Sequence, residues 1–255
     1  MATNDTGYED LRDLAADLVR QAGALLASRR PDHPRGDRFA GLSSAAERLI
    51  VDGLAGRRPD DGVVVEGRWA HTGNSRARWI LDPLAGRVNV SYGTSSYAVS
   101  LAAEVDGVVV AGAVYSGLLG TVFDAVVGGG ARADGELISC TEAAELSRAL
   151  VATGFSDSVE QRARQGRVLG ELLADIGNLR RIGPAALDLC ELAAGHLDAF
   201  FEIGLEPWDC AAGLLVAAEA GARIGTIATP HGQVTVAAAP GVHEQLVRAL
   251  RELSV

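Results

Sequence analysis

Apolar residues recur at helical spacing through the first stretch of the chain: Leu11, Leu14, Ala15, Leu18, Val19, Ala22, Leu25 and Leu26. A single apolar stripe with this period predicts a long amphipathic helix that ends at Arg29-Arg30, before Pro31. Residues Pro31 to Gly41 read as a polar loop. A second helix follows, with Ser43 or Ser44 as N-cap and Glu47 near N3, a capping box. Two short apolar runs, Val63-Val64-Val65 and Trp79-Ile80-Leu81, read as buried strands.

From Tyr97 onward the pattern turns to β. Tyr97 to Val105 and Val108 to Tyr115 flank Asp106-Gly107, a strong hairpin signal, and Thr121 to Val127 continues the meander. Gly128-Gly129-Gly130 reads as a tight bend, and Asp134-Gly135 marks another turn. Beyond about residue 145 strands and helices alternate. Strands are expected at Leu150 to Ala152, Leu197 to Glu202 and Val234 to Ala238. Helices are expected at Val159 to Ile176, Pro184 to Gly195, Asp209 to Gly221 and Val242 to Leu253. The fold class is therefore α+β in stacked layers, with an α+β half at 1–145 and an α/β half at 146–255 in one unit.

Composition narrows the partners. The net charge is −10, which argues against a nucleic-acid ligand, since that needs a basic face. The chain has no Lys, which removes Schiff-base chemistry through an ε-amine. The three cysteines lack metal-type spacing, and the five histidines do not cluster. No apolar run approaches the ~20 residues of a membrane span. With no secretory leader expected at the N-terminus, the expected compartment is the cytoplasm.

Two segments carry candidate chemistry: Trp79-Ile80-Leu81-Asp82-Pro83-Leu84-Ala85-Gly86-Arg87-Val88-Asn89, and Glu206-Pro207-Trp208-Asp209-Cys210-Ala211-Ala212-Gly213. They resemble the two signatures of the inositol monophosphatase family, W-I-x-D-P-[IL]-D-G-T-x-N and W-D-x-A-A-G. The resemblance extends over nearly the whole chain. It implies a layered αβαβα sandwich of the sugar-phosphatase type, usually a homodimer, and Mg²⁺-dependent hydrolysis of inositol and sugar monophosphates. In such a site carboxylates hold the hard cations, and the cations neutralise phosphate and activate a water.

Position by position, the resemblance makes Glu66, Asp82 and Asp209 metal ligands, together with the Leu84 carbonyl. Gly86 allows backbone approach to phosphate. Glu202 holds sugar hydroxyls, and Gly183-Pro184-Ala185 matches the sugar-contacting turn, with Pro in place of a hydroxyl residue. The departures fall elsewhere. Gly67 stands for the second Glu of a Gly-Glu-Glu segment, Ala85 for the second loop Asp, Arg87 for the water-orienting Thr, Ser43 for that Thr's Asp partner, and Ala40 for a preceding Thr.

Losing one carboxylate and gaining one guanidinium shifts the local charge by about the charge of one Mg²⁺. Arg87 either turns inward onto the remaining carboxylates or points outward to an anionic ligand; the inward pair is favoured. Mg²⁺ is expected at one site or at none. The favoured function is a pseudo-phosphatase, or an enzyme repurposed for non-hydrolytic chemistry on a small polar or phosphorylated ligand, with Glu66, Asp82, Asp209 and Arg87 as its working groups. The alternatives are a weak Mg²⁺-dependent phosphatase and a non-catalytic partner of an active paralogue.

Overall fold

A computed structural model describes residues 5–29 and 38–253. Helix α1 (Asp5–Ser28) and helix α2 (Arg38–Arg57) come first. The expected polar loop falls largely outside the described residues. Ser43 and Ser44 do not cap α2: the helix begins at Arg38, so both lie inside it. Glu47 takes a hydrogen bond from Arg68 instead of closing a capping box.

Strands β1 (Gly62–Val65) and β2 (Arg68–His71) form a tight hairpin. Strand β3 (Ala77–Ala85) carries the first motif to its end, and the short helix α3 (Arg87–Ser91) follows. The meander β4 (Ala98–Val105), β5 (Val108–Ser116), β6 (Val122–Val126), β7 (Gly130–Ala133) and β8 (Glu136–Ile138) completes an eight-stranded sheet. Its order is β2-β1-β3-β4-β5-β6-β7-β8, and only the β1–β3 pair is parallel. Both Asp-Gly pairs turn where expected, with positive φ at Asp106, Gly107, Asp134 and Gly135.

The rest of the chain runs β9 (Leu150–Thr153), α4 (Val159–Leu172), β10 (Asn178–Arg180), α5 (Ala185–Ala193), β11 (Ala199–Ile203), α6 (Pro207–Glu219), β12 (Arg223–Thr229), β13 (Gly232–Ala238) and α7 (Pro240–Glu252). The second sheet has the order β10-β9-β11-β13-β12. α4 stops at Leu172, short of the expected Ile176, because the chain turns to form β10. Pro184 is the N-cap of α5 and lies just outside it.

Strand alternation builds the layers. Trp79, Leu81, Val99 and Leu101 point to one face and pack with Leu18, Ile50 and Leu54 of α1 and α2. Ile80, Ala98, Ala102 and Phe123 point to the other and meet Leu187, Cys190 and Val216 of α5 and α6. The opposite sides of those two helices bury Leu189, Leu192 and Ala217 against Ala152, Phe200 and Ala237 of the second sheet. The outer face of that sheet, with Val151, Phe201 and Val236, is closed by Leu172 of α4 and by Val242, Leu246 and Leu250 of α7. Five layers, αβαβα, result, as the resemblance implied. The central helices pack closely because Gly213 faces Leu189, and a Cβ there would sit 3.0 Å from that side chain. Cys190 and Cys210 are buried among apolar neighbours, as small hydrophobes. Among the described residues no helix is long and apolar enough to cross a membrane.

Candidate active-site cleft

The C-terminal end of β3, the turn before α5, the end of β11 and the start of α6 converge on a cleft of about 720 Å³. Glu66, Asp82, Leu84, Gly86, Arg87, Gly183, Ala185, Glu202 and Asp209 all line it, and so do Ala85 and Pro184. Residues some 140 positions apart in sequence thus share one wall-to-wall space. Ser43, half-buried on α2, is not among the lining residues.

β3 reaches the cleft through an irregularity. Its register against β4 shifts between Asp82 and Ala85, across Pro83, which has no N–H to give to a ladder. The Asp82 carboxylate stabilises this bend by accepting the Leu84 N–H at 2.9 Å. Asp82 is only 5% exposed. Burial pushes its carboxyl up to about 7; nearby Glu66 and Asp209 add to this, while the Leu84 N–H and Arg87 oppose it. Ala85 is buried in the apolar cluster between the first sheet and α5–α6. Gly86 has φ 86°, and a Cβ there would lie 2.8 Å from the Ser96 carbonyl. Asn89 secures the following turn by donating to the carbonyls of Ser96 (2.8 Å) and Ile182 (3.2 Å).

Arg87, the first residue of α3, turns inward: its guanidinium forms a hydrogen-bonded ion pair with Glu66. Glu66 and Gly67 form the two-residue turn between β1 and β2, with φ of 44° and 79°. Positive φ at both central residues favours Gly at one of them. Gly67 also lies against the Trp208 ring, where a Cβ would approach to 2.8 Å. The residue that replaces the family's second Glu therefore fits a tight turn and an aromatic neighbour.

On the opposite wall, Asp209 does not open α6, as the expected span Asp209 to Gly221 had it, but is its N3 residue, since the helix starts at Pro207. The N-cap is Glu206, and the two form a reciprocal capping box in which Asp209 Oδ2 accepts the Glu206 N–H at 2.9 Å. Burial raises the Asp209 carboxyl, with Glu206 and Glu66 adding and the Glu206 N–H opposing. Burial lifts Glu202 to about 7, with Arg181 opposing and Asp209 adding. Space for Glu202 is made by Gly154, where a Cβ would fall 2.1 Å from its carboxylate. Beneath this wall lies Asp188 on α5, 2% exposed, with Oδ2 lacking a hydrogen-bond partner among the described residues. Burial pushes it up to about 8, Glu202 and Glu191 adding and Arg181 opposing.

Several cleft residues escaped the sequence reading: Phe155, Ser156, Asp157, Gln161 and Arg181. Arg181 donates to the Gly183 carbonyl at 2.9 Å and places a second guanidinium at the cleft. The cleft thus offers five carboxylates, from Glu66, Asp82, Asp157, Glu202 and Asp209, and two guanidiniums. Asp82 and Glu202 titrate near neutrality, so each can hold a proton and donate it to a ligand oxygen.

A hard divalent cation needs about six or more oxygens converging on it. Here Glu66 is turned to Arg87, Asp82 Oδ1 to the Leu84 N–H, and Asp209 Oδ2 to the Glu206 N–H. Among the described residues no three His, Cys, Asp or Glu side chains are grouped to hold an ion. As arranged, Glu66 is engaged by Arg87, while Asp82 and Asp209 each give one oxygen to a backbone N–H and keep the other for a cation.

The geometry has close counterparts. The chain is 43% identical over 245 residues to the inositol-1-monophosphatase SuhB of Mycobacterium tuberculosis, covering 91% of this chain and 83% of the relative. It is 31% identical to the Nus factor SuhB of Escherichia coli, with 93% of each covered. The solved structure of Mycobacterium tuberculosis SuhB superposes with a TM-score of 0.88 at 42% identity, covering 98% of both chains. The model of the inositol monophosphatase family matches residues 8–254, and the chain belongs to that family.

Proposed function

We propose that the cleft binds a small polar or phosphorylated ligand and that hydrolysis of the family type is impaired there. The protein is then a pseudo-phosphatase, or an enzyme turned to non-hydrolytic chemistry in the same space. The observation that carries this reading is the Arg87–Glu66 ion pair, with Ala85 buried beside it. A guanidinium supplies positive charge where the family uses a cation, but it has no open coordination position and cannot lower the pKa of a water as a metal does. The hydroxyl that would orient the water is absent at Arg87, and its acidic partner is absent at Ser43. Losing that orientation and one metal's charge costs on the order of 10³-fold in rate. The retained wall of Gly183, Ala185 and Glu202, with Arg181 beside it, supports ligand binding.

The test is phosphate release from inositol 1-phosphate with and without millimolar Mg²⁺. Hydrolysis by the unaltered protein at the rate of an active family member overturns the proposal. Substituting Ala85→Asp, Arg87→Thr and Ser43→Asp together should restore Mg²⁺-dependent turnover.

A second reading is a weak phosphatase holding a single Mg²⁺. It is favoured by the retention of Asp82, Asp209 and the Leu84 carbonyl on one cleft, and by the activity that the Mycobacterium tuberculosis relative's name states. Slow Mg²⁺-dependent release that disappears in Asp209→Ala supports it; a flat response to Mg²⁺ removes it. Under either reading a second copy of the chain is the proposed partner. Val88, Tyr92 and Ile182 stand exposed around α3, which the Asn89–Ile182 bond joins to the turn before α5. Equilibrium sedimentation at a single monomer mass rejects the dimer.

A further inference from the structure

α4 covers the outer face of the second sheet incompletely. Of its fourteen residues only Leu172 is buried. Under the helix lies a cavity of about 270 Å³, separate from the cleft although Phe155, Gln161 and Ile203 contribute to both. Its apolar surface comes from Phe155, Val168, Leu169, Phe201 and Ile203. Among the described residues its polar groups include Arg164, Arg167 and His231, with Glu171 the one carboxylate.

We propose that this cavity is a second binding site, for an amphipathic monoanion with a compact aryl or alkyl body. The apolar lining favours a body that fills it, since an unfilled apolar void forfeits dispersion contacts. The volume falls just under the usual range for small-molecule pockets, roughly 300–1,000 Å³, which selects a compact ligand. The charge selects its sign. In a chain of net charge −10, the two guanidiniums here stand against Glu171 and the Glu160 that pairs with Arg164, so the mouth is locally neutral and Arg167 is the cation left for an acid group. Arg164 is held in place by His231 at 2.9 Å and by Glu160 at 2.5 Å. Arg167 has no ion-pair or hydrogen-bond partner among the described residues, so its guanidinium is available to an acid group. α4 also anchors the neighbouring loop: Gln165 accepts the Ser156 N–H, and Arg162 donates to the Ser156 and Asp157 carbonyls. The site therefore borders the cleft without depending on its chemistry.

The experiment titrates the full chain with 8-anilinonaphthalene-1-sulfonate, with octanoate as competitor. The site predicts saturable one-to-one binding, displaced by octanoate, and weaker binding of the uncharged N-phenyl-1-naphthylamine. Arg167→Gln should weaken the sulfonate about fivefold or more through loss of a charged hydrogen bond. Val168→Trp, which fills the cavity, should abolish binding while circular dichroism stays native. If Val168→Trp fails to fold, the exposed Arg167→Gln decides the matter. Unchanged affinity in Arg167→Gln overturns the proposal. So does binding that survives Val168→Trp but is lost in Asp209→Asn, and so does a self-associated form that excludes the probe.

Discussion

The two walls of the cleft match the family signatures to different degrees. The wall built from the first sheet, Glu66 to Arg87, departs from the family pattern at Gly67, Ala85 and Arg87. The wall built from the second half keeps Gly183, Ala185, Glu202 and the Trp208-Asp209 pair, and departs only at Pro184. The resemblance places the water and most of the cation ligands on the first wall; on the second it places the ligand hydroxyls and one further cation ligand, Asp209. Under the proposed function, a cleft whose departures fall mainly on one side is a pocket that keeps its ligand contacts. The sharpest way to break the comparison is to rebuild the first wall. Ala85→Asp with Arg87→Thr and Ser43→Asp should raise Mg²⁺-dependent phosphate release on the order of 10³-fold, read by steady-state phosphate assay. If the rate stays flat while the fold is intact, the second wall is altered as well.

The second wall carries its own signature in pH. Asp188 has a folded-state pKa of about 8, above the ordinary value of 3.8. A folded-state pKa above the unfolded one means that the folded protein holds a proton which the unfolded chain releases. The contribution is complete below pH ~4 and is lost as pH rises toward 8. Urea denaturation should therefore show stability falling between pH 5 and 7.5, by up to about 1.4 kcal/mol per pH unit from this group. Asp188→Asn should flatten that part of the slope. Glu202, pushed up to about 7, adds a slope of the same sign, so the flattening is partial.

How much of this was legible in the sequence depended on the range of the interactions. The two motifs put nine residues on one cleft, because each motif sits on one local unit, a strand end or a helix start. The Asp-Gly turns were also visible, since their chemistry is local. The hairpin at Glu66-Gly67 was missed, and its glycine was read only as a lost carboxylate. The positive φ at Glu66 is uncommon for a side-chain-bearing residue and is imposed by the strand pairing of β1 with β2. Strands β10 and β12 were missed because both lie on edges of the second sheet and show little alternating burial. Arg181 and Gln161 reach the cleft only through the parallel register of β9 with β10 and β11, which no short pattern reports.

Gly67 joins the two walls, since it packs on Trp208. Gly67→Glu, which restores the family's residue, should destabilise the protein by about 2 kcal/mol through the left-handed backbone and the displaced ring. The shift in urea midpoint measures it. A neutral outcome would mean that Trp208 moves freely and that the first wall tolerates the family's full carboxylate set.

The smallest effect on stability should come from the residue that matters most to the proposed function. The Arg87–Glu66 pair is solvent-exposed, with the Arg side chain 58% accessible. Two flexible side chains held together in water gain little, so Arg87→Gln should change stability by less than about 1 kcal/mol. Its effect on ligands should be larger. Without the guanidinium Glu66 is released toward Asp82 and Asp209, and the cleft loses a positive charge. Calorimetric titration with Mg²⁺ should then show tighter cation binding than in the unaltered protein, at nearly unchanged melting temperature. Stability that falls by several kcal/mol would assign Arg87 to the fold. Unchanged cation binding at unchanged stability would leave Arg87 without the cation-replacing role, and the contrast between the two walls would then rest on Gly67 and Ala85.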